Sequence, residues 1–136
     1  IMHVLEHFED PLGVLVEIRQ RLLDPNGVLL VEVPNFYAHE SYELAHLSCF
    51  TAHTLSEMLK KAGFKVAYMG QHGYPRSETL NLYLSALAYP LKDPSETYQT
   101  VPERGVPLKR AIGMTKGAIL TKLMPAKTWL PLEEKA

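Results

Sequence analysis

The run from Val28 to Val33 constrains the fold of this chain more than any other segment. It is almost continuously aliphatic and rich in β-branched side chains, and Pro34 ends it because proline cannot donate to a strand ladder. Such a run is typical of a strand that is buried on both faces of a parallel sheet. We therefore expect a buried strand here, with helices packed against the sheet faces.

A helix is predicted before this strand. Asp10 and Pro11 have the residue types of an N-cap and a first helical residue, and apolar residues then recur at three-to-four spacing as far as Leu22. The helix is expected to span about residues 11 to 23 and to end at the turn formed by residues 24–27. Residues 1–5 are expected to be the end of an earlier strand.

A second helix and a second strand are predicted after it. Thr51 is a suitable N-cap, apolar residues follow on one face, and Gly63 is expected just after the last helical residue. Residues 64–69 then have the composition of a strand. The alternation of strand and helix predicts an α/β fold.

The pattern changes in the last third of the chain. Residues 79–88 alternate between apolar and polar, which favours a more exposed, antiparallel strand at an edge of the sheet or inserted into it. Four prolines in residues 89–107 indicate an extended segment, and a helix is expected from about 108 to 124, although Gly113 and Gly117 weaken it. We expect a domain over residues 1–89, a linker or loop over 90–107 and a helical extension over 108–136.

Composition limits the classes of function. The chain has 136 residues, a net charge of −1 and 46% hydrophobic residues, which is ordinary for a soluble globular domain and gives no electrostatic reason to expect nucleic acid. The single cysteine, Cys49, cannot form an intramolecular disulfide, which fits a reducing cytoplasmic location. The sequence contains no apolar run long enough to cross a membrane.

Five short motifs carry a resemblance to a known family. They are His3-Val4-Leu5-Glu6-His7-Phe8 followed by Asp10-Pro11, then Leu22 to Leu29, then Val33-Pro34-Asn35, then His46 to Thr51, and finally Ala62-Gly63-Phe64. In this order they resemble class I S-adenosylmethionine-dependent methyltransferases, especially the ubiquinone O-methyltransferase-like group and the methyltransferase type 11, 12 and 23 groups. The resemblance covers about residues 1–88.

The resemblance implies the C-terminal half of a Rossmann-like sheet with the strand order 3-2-1-4-5-7-6. This chain would hold the end of strand four and strands five, six and seven, with strand seven antiparallel. The sequence contains no Gly-x-Gly, so the loop that holds most of the cofactor in the family is missing. We therefore expect a truncated chain that binds S-adenosylmethionine weakly, is inactive alone and associates with itself through the truncated sheet edge.

Strands four and five would be parallel neighbours, so their carboxyl ends would open into one crevice. Methyl transfer from a sulfonium is an in-line displacement that needs alignment and, for some acceptors, removal of a proton. Imidazole titrates near neutral pH, so His7 and His46 are the expected proton acceptors, with Glu6 beside them. The acceptor is expected to be a small molecule, with O-methylation favoured.

The resemblance assigns further roles. Met2 and His3 would lie against the cofactor, and Glu6-His7 match a pair that in some relatives binds a divalent metal or substrate. Those relatives have an acidic residue where this chain has His3, so no metal is expected. The substrate side is expected to contain Asn35, Tyr37 and Tyr42.

Each assignment has a structural alternative. Glu6 can stabilise a helix start, His46 can pack in a loop, and Asn35 can form an Asx-turn. His3-x-x-Glu6-His7 also has the form of a zinc-peptidase motif, but Asp10-Pro11 starts a new helix directly afterwards. A non-catalytic binding module is the other alternative, and the basic residues after Gly105 fit a solvated helix face, an anionic substrate or a lipid surface.

Overall fold

The computed structural model describes residues 1–39, 44–95 and 97–131. It shows a mixed α/β fold around a sheet of three strands, β1 (Leu29–Pro34), β2 (Phe64–His72) and β3 (Tyr83–Pro90), in the order β1-β3-β2. Within these described ranges, four α-helices accompany the sheet: α1 (Pro11–Glu17), which continues as a π-helical turn over Ile18–Leu22, then α2 (Ala52–Lys61), α3 (Val106–Leu123) and α4 (Pro125–Thr128).

The first helix begins where the sequence predicts. The Asp10 side chain accepts a hydrogen bond from the Gly13 amide at 2.8 Å, and Pro11 is the first helical residue. This satisfies one of the amide groups that a helix start leaves without a partner. The helical segment reaches Leu22, so the predicted span of about 11 to 23 is confirmed.

The second helix is also confirmed. Thr51 and Thr54 form a capping box in which each side chain bonds the backbone of the other. Leu55 and Leu59 are fully buried in the core. Gly63 follows the helix with φ of +87°, a conformation that favours glycine.

The antiparallel strand, β3, lies between two other strands of the described sheet. The expectation that it is an edge strand is therefore wrong, and the expectation that it is inserted into the sheet is confirmed. β3 pairs antiparallel with β1 on one side and with β2 on the other; Ala86, for example, lies opposite Val31 and Met69. The strand also starts at Tyr83, later than the alternating pattern predicts. Inward residues such as Ala86 are buried because two neighbouring strands and the helix layer surround them.

The prediction that β1 is buried on both faces is wrong. Its residues alternate, with Leu29, Val31 and Val33 buried and Leu30 41% exposed. Leu15 of α1 and the apolar residues of α2 join a single core cluster on the inward face. Leu30, Tyr68 and Leu87 remain exposed on the outer face, because no helix of the described residues covers it.

The C-terminal part of the chain folds back onto this core. The Val101 amide donates to the Glu57 carboxylate on α2 at 2.8 Å, which fixes the segment that leads to α3. The predicted C-terminal helix is confirmed and begins slightly earlier, at Val106. Across residues 1–39, 44–95 and 97–131, none of the helices combines the length and the apolar character of a membrane-spanning segment.

Candidate active site

The site begins where the first residues of the chain run beside β1. Met2 forms a parallel bridge with Glu32, the His3 amide donates to the Glu32 carbonyl at 2.9 Å, and the Glu32 amide donates to the Ile1 carbonyl at 2.8 Å. Parallel neighbours end at the same edge of a sheet. The Leu5–His7 turn and the Pro34-Asn35 corner therefore emerge on the same side of the molecule.

Glu6, His7 and His46 form a cluster at this edge. The Glu6 carboxylate is 1% exposed, and neither of its oxygens has a hydrogen-bond partner among the described residues. Glu6 Oε1 lies 3.9 Å from His7 Nε2, 4.0 Å from His46 Nε2 and 3.7 Å from His3 Nδ1. Three imidazoles thus surround one buried carboxylate, whose charge is costly to bury without polar partners.

The orientation of the His7 ring is set by the neighbouring loop. His7 Nδ1 donates to the Ala45 carbonyl at 2.8 Å, because a carbonyl oxygen can only accept. In the neutral ring, Nε2 therefore carries the lone pair and lies on the Glu6 side. His7 can take a proton at Nε2, and the Glu6 carboxylate would stabilise the imidazolium formed.

The same three residues could hold a metal ion. One ligand atom from each of Glu6, His7 and His46 lies within 4.8 Å of the others. Two imidazole nitrogens and a carboxylate are a common ligand set of Zn²⁺, and the bond from His7 to Ala45 is the type of outer contact that orients a ligating histidine. A metal there would act as a Lewis acid toward an acceptor oxygen.

His3 makes its closest side-chain contact outside this cluster. Its Nε2 lies 3.1 Å from Glu32 Oε1, and His72 and Ser85 contact the other oxygen of Glu32 at 3.1 and 2.9 Å. Glu32, His72 and Ser85 were not predicted as site residues. The sequence feature that could have indicated this polar group is Glu32, a single charged residue in the otherwise apolar strand β1.

This arrangement differs from that of an inverted zinc-peptidase motif. Such a motif needs two histidines one turn apart on a helix with their nitrogens directed at one metal. Here Leu5–His7 is a 3-10 helix of three residues, and His3 precedes it with φ of +52°. The metal-capable group contains His46 in place of His3.

The Asn35 side chain forms an Asx-turn, which was the structural alternative to a substrate role for this residue. Its Oδ1 accepts from the Tyr37 amide at 3.1 Å, and its Nδ2 donates to the Asn81 carbonyl at 2.8 Å. The side chain is buried and joins the end of β1 to the segment before β3. A substrate role for Asn35 stays a prediction.

Tyr37 lies under the C-terminal segment. Its hydroxyl donates to Glu103 at 2.9 Å, and burial together with this carboxylate raises the pKa of Tyr37 to about 12. Burial would raise the pKa of Glu103, but hydrogen bonds from Lys109, Thr51 and Tyr37 outweigh it and lower that pKa. Tyr37 therefore stays protonated at neutral pH. The prediction for Tyr42 falls outside the described residues.

A small cleft opens beside the cluster. Its cavity volume is about 20 Å³, and it is lined by residues of the β1 corner and of the segment that carries His46. Arg110 of α3 also lines it and stacks on the Phe36 ring, with its guanidinium carbon 4.3 Å from the ring centre. Arg110 is one of the basic residues after Gly105 for which an anionic substrate was one interpretation, but its place at this cleft was not predicted, because the helix that carries it is distant in sequence.

A mixed α/β fold with polar side chains gathered where neighbouring strands end is a common setting for ligand sites. The family model described as a methyltransferase domain matches residues 1–68, which is half of the chain. The chain therefore belongs to this methyltransferase-domain family. The matched region contains Glu6, His7 and His46 as well as Asn35. A search of curated proteins found no match for the chain.

Proposed function

We propose that the protein transfers a methyl group from S-adenosylmethionine to a small-molecule acceptor at the cleft beside His7. The observation that carries the proposal is the parallel pairing of Met2 with Glu32, which directs the Leu5–His7 turn and the end of β1 to the same edge. The family match supports methyl transfer in general. The strand order β1-β3-β2 agrees with the five-seven-six part of the order that the class I resemblance implies.

S-adenosylmethionine would supply an electrophilic methyl group on a sulfonium. The residues of this chain would align the acceptor in line with that methyl and remove its proton. His7 suits the proton role because its Nδ1 is held by Ala45 and its Nε2 lies beside Glu6. His46 contacts His7 edge to face at 4.8 Å between ring centres and lines the cleft. These roles favour a hydroxyl acceptor, and thus O-methylation.

Met2 and His3 are the proposed contacts to the cofactor. Met2 is half exposed at the end of the parallel pairing, and His3 packs edge to face on Tyr83 with ring centres 4.9 Å apart. Because the sequence contains no Gly-x-Gly, the affinity should be low.

Binding of S-adenosylhomocysteine can be tested by titration of the ¹⁵N-labelled chain. We expect progressive amide shift changes at Met2 and His3 and around the cleft, with few changes in α2. Absence of any change at millimolar concentrations, or changes confined to a distant surface, would contradict the proposal. Tight binding would contradict the inference from the missing glycine-rich loop.

Transfer of a radioactive methyl group to a panel of small phenols, alcohols and amines tests the chemistry, measured with a complementary chain that supplies the glycine-rich loop, because this chain is expected to be inactive alone. Replacing His7→Gln should lower the rate about 10²- to 10⁴-fold, as expected for loss of a general base. His53→Gln is the matched control, because His53 contacts the Val101 carbonyl and does not line the cleft. Cofactor binding without transfer to any acceptor would favour the non-catalytic binding module instead.

A further inference from the structure

Helix α3 presents a stripe of exposed apolar side chains, interrupted at Thr115 and Lys116, to solvent. Leu108, Ile112, Ile119 and Leu123 are each between 52% and 71% exposed. At 100° per residue, their spacing of four, seven and four positions puts all four side chains within one sixth of the helix circumference. Exposed apolar residues gathered in this way mark an interaction surface more often than scattered ones do.

The opposite side of α3 is fixed to the body of the protein. A Cβ on Gly113 would lie 2.0 Å from the Tyr37 carbonyl oxygen, so the helix backbone approaches residues 36–38 closely. Arg110 donates to the Phe36 and His39 carbonyls, and buried Thr128 beyond the helix bonds Thr79. The stripe therefore faces outward because the other face is held in place.

The charge around the stripe has one sign. Six of the fourteen basic residues and none of the fifteen acidic residues lie between positions 104 and 131. The helical spacing puts Lys116 on one border of the stripe and Lys122 on the other. In the described part of the chain, neither of these lysines pairs with an acidic side chain, whereas Lys109 contacts Glu103 at 2.8 Å.

We propose that this face of α3 binds the surface of an anionic lipid bilayer, with the helix lying in the plane of the interface. The apolar stripe would enter the headgroup region while the bordering lysines contact lipid phosphates. Trp129, which follows α4, is 40% exposed and has the residue type that favours this depth. A second copy of the chain fits less well, because stacking two such faces would bring lysines together without acidic partners.

Vesicle flotation with the full chain tests the proposal. We expect binding to mixed phosphatidylglycerol and phosphatidylcholine vesicles, much weaker binding to pure phosphatidylcholine, and release at high salt. Trp129 is the single tryptophan of the sequence, so a blue shift of its fluorescence with the anionic vesicles would report its insertion directly.

Two double variants separate the contribution of the lysines to vesicle binding from that of the apolar side chains. The double variant Lys116→Gln with Lys122→Gln should weaken vesicle binding about 25-fold, because each lysine contributes a factor of about five. Ile112→Ser with Ile119→Ser should weaken it about ten-fold or more. Lys65→Gln and Leu22→Ser are the matched controls, because both residues are exposed elsewhere and should leave binding unchanged. Circular dichroism of all variants checks that the fold is retained.

Two results would overturn the proposal. One is absence of flotation and of a tryptophan shift with the anionic vesicles. The other is a concentration-dependent dimer that the serine variants abolish, together with vesicle binding that the glutamine variants do not weaken. That second result would assign the stripe to a contact between two copies of the chain.

Discussion

Replacing Gly113 with alanine should destabilise the protein, although alanine is the better helix residue. In an unhindered helix this change gains about 1 kcal/mol from intrinsic propensity. At Gly113, however, the new Cβ would lie 2.0 Å from the Tyr37 carbonyl oxygen, far inside van der Waals contact. That oxygen belongs to the backbone, so α3 or the segment at residues 36–38 must move.

The size of the effect follows from these two opposing contributions. Forcing an extra methyl group into a packed site costs about 1–3 kcal/mol, and sometimes more where backbone has to shift. Subtracting the propensity gain leaves a net loss of up to about 2 kcal/mol for Gly113→Ala. The displacement should also disturb the contacts of Arg110 with the Phe36 and His39 carbonyls.

Gly117→Ala is the matched control on the same helix. Its nearest contact would be a Leu80 methyl carbon at 3.9 Å, which is ordinary packing distance. We therefore expect Gly117→Ala to stabilise the protein by about 1 kcal/mol. Urea unfolding of both variants measures the difference, about 1–3 kcal/mol. If the two variants have equal stability, or if Gly113→Ala is the more stable, α3 does not dock against Tyr37 as the structure describes.

Two further predictions concern the contacts that hold the C-terminal segment. The Val101 amide and Lys60 lower the pKa of Glu57 to about 2, so Glu57→Gln should lose about 1–2 kcal/mol at pH 7 after allowance for solvent screening. Because folding lowers the pKa of Glu57, the stability difference between Glu57→Gln and the unmodified chain should persist above about pH 4.5 and disappear as the pH falls toward 2. Urea unfolding across that pH range measures the difference. An equal loss of stability at pH 7 and pH 2 would contradict the prediction. Thr51→Ala should cost about 1–2 kcal/mol in thermal unfolding, because Thr51 caps α2 and also donates to Glu103, whereas exposed Thr100→Ala should change little. Equal melting temperatures for the two threonine variants would refute the capping argument.

Local signals in the sequence predict the helices of this protein well. Asp10-Pro11 and Thr51 are capping residues whose effect depends on their own backbone neighbours, and Gly63 is needed for a positive φ. Gly113 is the instructive exception. It lowers the helix propensity of its segment, yet it lies in α3 because the helix backbone approaches Tyr37 there.

The candidate site is only partly visible in the sequence. Glu6 and His7 are adjacent, so their motif identifies both residues together. The proximity of His46, the pairing of His3 with Glu32 and the position of Arg110 over the cleft depend on contacts between distant segments. The position of Glu32 indicates a polar group at this edge, because a charged residue in an apolar strand requires a polar partner. The identity of its partners His72 and Ser85 could not follow from that position alone.

What the sequence determined by itself is the presence of β1, β2 and β3, the positions of α1, α2 and α3, and the methyltransferase-like motif around Glu6 and His7; residues 1–5, expected as a strand end, form only a bridge at Met2 before the 3-10 helix, and α4 was not predicted. What only the tertiary structure decided is the place of β3 between β1 and β2, the one-sided burial of β1 and the exposed stripe of α3. The physical reason is the range of the interactions. Caps, turns and periodicity act over a few residues, whereas strand neighbours and covered faces depend on where distant segments bury their apolar area.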